Sequence, residues 1–302
     1  MTTPRMKGLC TPLALSAALT LSAPALAHAE SAASLLYERT LMSRADARCH
    51  LFTPDIAAAL AAAATQARGA TLRSGANAEG ARQIEDRAAL KAYAVPCSSS
   101  DLKIAADRVR KAFDGYAQLR VMSFPGTLSS WQADRRPWPL VVDGKVRPGP
   151  RWRLWQITPD SGGRFEFGIS DGAGLVAVST TPDAIQASAA RLALRDPAKA
   201  ADAFIDPRRH DLAGRASPRW LTRVFLASSI APAPQSLLPP GAKAGTVVTF
   251  SPEAAQAMSA LDPREAVTFE LVFQTRTGER VETNLIEVGD FAAGRAFLAA
   301  GR

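Results

Sequence analysis

MSFPGTLSSW, residues 122–131, is where this chain changes character. Proline lacks an N–H and fixes φ, and glycine is costly inside a helix, so Pro125-Gly126 must end whatever helix precedes it. Upstream, apolar residues recur at helical spacing. Downstream, they alternate. The chain is therefore expected to be α+β: a disulfide-linked helical bundle over 30–123, then a mainly antiparallel β domain with short helices over 124–302.

Four helices are expected before the break. Leu41, Met42, Ala45 and Cys49 fall on one side of the first. Thr53-Pro54-Asp55 opens the second, with a capping residue, a proline at the first position and an acid at the positive end of the dipole. Ile56, Leu60, Ala63 and Ala67 line its apolar face, and Ser74-Gly75 ends it. A third runs from about Ala78 to Ala94 and stops at Pro96. The fourth carries the clearest stripe, Leu102, Ala105, Val109, Phe113 and Tyr116, with Lys103, Asp107, Arg110 and Lys111 on the other side. Alanine dominates these faces, so the helices are expected to approach closely while burying little area each.

After the break, RWRLWQI, RFEFGIS and LVAVST read as strands, the last two joined through Asp171-Gly172-Ala173-Gly174. Thr181-Pro182-Asp183 is expected to start a helix reaching about Leu194, with a short one from Asp196-Pro197. WLTRVFLASS, GTVVTF, AVTFELVFQ and RVETNLIEV add strands, and Asp290 is an expected N-cap for a closing helix. Segments 175–197 and 246–263 echo one another. A shared helix-start code explains the echo more economically than duplication of a β-α unit.

Residues 1–29 have the form of a signal peptide: Arg5 and Lys7, no acid before Glu30, an apolar run from Leu9 to Leu26, and a small-x-small end at Ala27-His28-Ala29. Cleavage there leaves a periplasmic or secreted chain with no membrane span. Removing Arg5 and Lys7 from 36 Lys+Arg leaves 34 against 28 Asp+Glu, a net charge of +6. That is mild for the length, and a nucleic-acid partner is not expected. Only Cys49 and Cys97 remain after processing. In an oxidising compartment they are expected to form a structural disulfide, stabilising by up to ~4 kcal/mol on the chain-entropy account.

Candidates for chemistry are few. No cofactor and no metal site is expected, since only His50 and His210 survive processing and no paired-ligand spacing exists. Gly168-Ile169-Ser170-Asp171-Gly172 matches G-x-S-x-G, and Ser170 with His210 and Asp206 would make an exported serine hydrolase. That motif needs a helix after the serine, whereas AGLVAVST reads as a strand. The most distinctive composition is WQADRRPWPLVVDGKVRPGPRWRLW, residues 131–155, with four of the five tryptophans and five arginines. Trp131, Arg135, Arg136 and Trp138 are the expected ligand-binding residues, exposed indoles beside guanidinium groups. Trp152 and Trp155, three apart, are expected on opposite faces of a strand. The function read from the sequence is an exported, non-catalytic envelope protein that binds an anionic glycan, another anionic envelope component or a protein partner. The hydrolase is the alternative.

Overall fold

The computed structural model describes residues 31–137, 139–157, 164–170, 174–181 and 184–300. The expected leader, the mature start at Glu30, Trp138 and the Asp171–Ala173 turn lie outside them. Four helices come first: α1 (Ala32–Cys49), α2 (Pro54–Arg73), α3 (Ala78–Ala94) and α4 (Ser100–Gln118). Ser31 caps α1 by accepting the Ser34 N–H at 3.1 Å, and Asn77 caps α3 through Gly80 at 2.7 Å. Thr53 holds the N-cap position of α2 but its side chain makes no capping bond; Pro54 at the first position sets the start.

α1 packs on both α2 and α3. Met42, Ala45, Leu60, Ala92, Leu102 and Ala106 form one small core; Leu36, Ala67, Leu72 and Ala81 form another. Cys49 and Cys97 are bonded, their Cα atoms 5.6 Å apart. The bridge ties the end of α1 to the turn that leads into α4. Among the described residues no helix is long and apolar enough to cross a membrane.

The β region forms two sheets. The larger follows the order β1 (Val121–Pro125), β2 (Ser130–Asp134), β5 (Leu154–Ile157), β6 (Phe165–Ile169), β7 (Val176–Ser179), β11 (Thr246–Thr249) and β10 (Ser229–Pro232). The smaller runs β13 (Gly278–Glu287), β12 (Ala266–Thr275), β8 (Ala189–Arg195) and β9 (Thr222–Leu226). A separate hairpin joins β3 (Leu140–Val142) to β4 (Lys145–Arg147). The strand pairings are antiparallel, as the alternating patterns require.

The sheets share one core. Trp131, Leu154, Phe167 and Val248 from the larger meet Leu192, Phe269, Leu271 and Ile286 from the smaller, with α5 (Pro252–Ser259) and α6 (Phe291–Ala299) supplying Met258, Phe291 and Phe297. Phe165 and Phe269 touch across the layers at 5.0 Å between ring centroids. Between β9 and β10 the chain changes sheet within two residues. Ala227 donates to Ala190 O in one sheet, and Ser228 donates to Thr249 O in the other.

The described residues from Ser31 onward form one compact unit, and the break at 122–131 marks a change of secondary structure within it. α2 packs on α6, and Arg264 donates to Ala76 O at 3.3 Å. Gly69 permits the close approach. A Cβ there would lie 2.1 Å from Asp290 Oδ1.

Two sequence expectations fail here. Instead of a helix to Leu194 there is one 3-10 turn, Ala184–Gln186, and then β8. Ala190, Leu192 and Leu194 are buried and alternate with the partly exposed Ala189, Arg191 and Ala193. The period-two burial against β12 overrides alanine's helix preference. Asp196-Pro197 likewise makes a turn closed by Lys199 N and Ala200 N on Asp196 O. Segments 175–197 and 246–263 therefore share a strand but not the unit after it, since only the second continues into a helix, α5.

Candidate functional site

Two of the four residues expected to form an exposed binding face, Trp131 and Arg135, are buried. Trp131 is fully buried, 4.9 Å from Phe291 and 6.4 Å from Phe167 between ring centroids. Its Nε1–H donates to Val288 O at 2.9 Å. The residue lies on β2 in phase with Ala133, so the pleat carries the indole into the shared core. Arg135 is buried as well. Its Nε donates to Leu119 O at 2.6 Å, a second nitrogen donates to Tyr116 O, and the guanidinium lies 4.2 Å from the Phe297 ring centroid and 5.0 Å from that of Tyr116. It adds donors at the carbonyl end of α4, where Tyr116 O also accepts the Leu119 N–H, and complements the negative end of the dipole.

Arg136 is exposed, but its Nε donates to Asp134 Oδ2 at 2.9 Å, and the Asp134 carboxylate is buried. Trp152 is buried, with Nε1–H on Glu166 Oε2 at 2.9 Å. Trp155 packs against the same small cluster, with Val176 and Val178. The two indoles share a side because Trp152 precedes β5, where strand alternation does not yet apply. Trp131 and Arg135 are thus structural residues, Arg136 is an ion-paired surface residue, and Trp138 lies outside the described residues.

The Ser170 motif lacks its context. Ser170 follows the last residue of β6, and the chain returns as β7, antiparallel to β6 with Gly168 opposite Val176. A nucleophile elbow needs a helix at that point, whose N-terminus would face an oxyanion. Asp206 accepts the Arg208 N–H at 2.9 Å, and its own N–H donates to Gly214 O at 2.7 Å. It closes its own loop. His210 is exposed in that loop, beside Asp211, which caps the 3-10 turn Leu212–Arg215 and pairs with Arg209. Among the described residues no hydrogen bond joins Ser170 to His210 or Asp206. Among the same residues no group of three or more His, Cys, Asp and Glu can hold a metal ion.

Two features remain. The first is a cleft of about 300 Å³ between α2, α4 and β1. Ile56, Leu60, Val109, Phe113, Met122 and Phe124 give it an apolar wall. Among the described residues its polar lining is Arg39, Gln66 and Tyr116, with no carboxylate. Arg39 donates to Ala63 O at 2.8 Å, and burial raises the pKa of the Tyr116 phenol above its ordinary value. Tyr116 Oη has no hydrogen-bond partner among the described residues. Alanine makes the room. Ala59, Ala62 and Ala63 of α2 face the space, so small residues expected to draw helices together leave α4 standing off.

The second is an exposed apolar patch. Trp220 is 75% exposed, Leu226 66% and Val224 51%. Trp220 is an exposed indole outside 131–155, the stretch that composition singled out. The only sequence signal for it is the alternation of Val224 and Leu226 with Arg223 and Phe225, which does not say which set faces solvent.

No protein-family model, curated protein or solved structure matches the chain.

Proposed function

We propose that this is an exported, non-catalytic binding protein of the cell envelope that takes an anionic amphiphile, an acyl chain with a negatively charged head, into the cleft between α2, α4 and β1. The observation that carries the reading is the lining. Among the described residues it is an apolar wall with one cation, Arg39, and no carboxylate, at the lower end of the ~300–1,000 Å³ typical of small-molecule sites. An acyl chain gains by leaving water, at roughly 0.8 kcal/mol per buried methylene. A carboxylate or phosphate head would be attracted by the charge of Arg39, which is already engaged with Ala63 O. The disulfide and the sequence of residues 1–29 support export. A neutral glycan would find few partners in such a wall, and Trp131, one of the two indoles expected to stack on a ligand, is buried.

The test is a titration of the purified mature chain with anthroyloxy-labelled palmitate. Saturable binding is expected, and Ala63→Phe, which fills the cleft, should abolish it while leaving the circular dichroism spectrum intact. Arg39→Gln should weaken the fatty acid more than the matching fatty alcohol. Binding that is absent, or that survives Ala63→Phe, would overturn the proposal.

A further inference from the structure

The two large sheets have four edge strands: β1, β10, β9 and β13. An edge displays unpaired N–H and C=O groups, and proteins guard it with proline, charge or short length. β1 ends in Pro125 and β10 in Pro232. β13 carries Glu279, Arg280 and Glu282. β9 differs, because it exposes Val224 and Leu226, with Trp220 standing just before it.

The register of β9 on β8 sorts its backbone. Ala227 N–H donates to Ala190 O, which makes Phe225 opposite Leu192 and Arg223 opposite Leu194 the hydrogen-bonded pairs. Thr222, Val224 and Leu226 therefore turn their N–H and C=O groups away from β8. Thr222 is already engaged, its N–H on Arg219 O and its C=O accepting Lys199 Nζ at 2.7 Å. At the other end Ser228 N–H is held by Thr249 O. The open edge is thus short, consisting of Val224 and Leu226 alone.

We propose that β9 is the contact between two copies of this chain, paired antiparallel about a two-fold axis through Phe225. That register places Val224 of each copy opposite Leu226 of the other. Every open backbone group of the edge then meets an open group of its partner, and neither closed end is asked to pair. On one side of the joined sheet, Val224 and Leu226 of both copies form an apolar cluster. On the other, the two Phe225 rings meet as a cross-strand aromatic pair. Arg223 does not oppose this. Its guanidinium lies 5.0 Å from the ring centroid of its own Phe225, and each copy's Arg223 would sit opposite Ala227 of the other, at opposite ends of the pair. A longer foreign strand would gain little from an edge closed at Thr222 and Ser228. A second β9 matches its length. This inference rests on β9 alone and stands whether or not the cleft binds an amphiphile.

Sedimentation equilibrium of the mature chain across the micromolar range tests it, with a dimer as the expected species. Val224→Lys and Leu226→Glu change exposed side chains, so each should keep its spectrum and thermal midpoint while weakening self-association roughly tenfold or more. The register adds a sharper expectation. Mixing the Val224→Lys chain with the Leu226→Glu chain should restore dimers, because those two positions face each other across the axis. A wild-type chain that stays monomeric would overturn the proposal. So would a dimer that both variants leave intact, or a mixture that fails to recover. A monomer whose β9 amides become protected only on adding a foreign extended peptide would also overturn it, and would assign the edge to a different protein.

Discussion

Arg73, at the end of α2, and Asp290, at the start of α6, meet as a two-nitrogen, two-oxygen pair across 217 positions of sequence, with Nη2–Oδ2 at 2.8 Å. The Asp290 side chain is only 2% exposed and that of Arg73 12%. Asp290 was expected as an N-cap, and it holds that position, but its carboxylate makes no capping bond. The contact between α2 and α6 has taken the side chain from the local role.

Arg73→Met should therefore cost more stability than Asp290→Asn. The first leaves a buried carboxylate without its cation, about 3–5 kcal/mol, whereas asparagine keeps an oxygen for Arg73. Burial raises the pKa of Asp290 above its ordinary value, with Arg73 opposing the rise. A folded-state pKa above the unfolded one means that the native state holds the proton more tightly, so this group's contribution falls as pH rises through that value. Without Arg73 the pKa should rise further. The deficit of Arg73→Met relative to wild type should then shrink as pH falls and Asp290 becomes neutral. Urea unfolding at several pH values checks this, and a deficit independent of pH would contradict it.

The tryptophans should divide by mutation as they divide by burial. Trp131→Ala removes an indole packed on Phe167 and Phe291 and orphans its hydrogen bond to Val288, at a cost of about 3–5 kcal/mol. Trp220→Ala removes an exposed ring and should change monomer stability by less than about 0.5 kcal/mol. Chemical denaturation followed by far-ultraviolet circular dichroism measures both. Similar losses at the two positions would contradict the packing described.

α4 is pinned at both ends, by the Cys49–Cys97 bridge before its start and by Arg135 on the Leu119 and Tyr116 carbonyls at its finish. Reduction should lower stability by up to ~4 kcal/mol. Arg135→Ala should lower it by ~1.5–3 kcal/mol, as expected when hydrogen bonds to a charged group are lost. Both changes should raise amide exchange in α4 before the β12–β13 ladder is affected. Exchange that rises uniformly over the chain would show that α4 is not held in this way.

Much of this organisation could be read from the residues because its causes are local. Pro125-Gly126 ends a helix whatever surrounds it. The stripe Leu102, Ala105, Val109 specifies a helix by its own period, and with Cys10 in the expected leader Cys49 and Cys97 have only each other to pair with. The same local code could not place residues whose fate depends on distant chain. Trp131 and Arg135 read as a binding face because aromatic and cationic side chains suit ligands. They became core and helix clamp because α6, more than 150 residues later, presents Phe291 and Phe297 to them. β8 read as helix because alanine favours one, until β12 offered period-two burial. The cleft and the bare edge of β9 were hidden for the same reason. A side chain carries its chemistry in its formula, but whether water, a neighbour or nothing covers it is decided only when the sheets and helices meet.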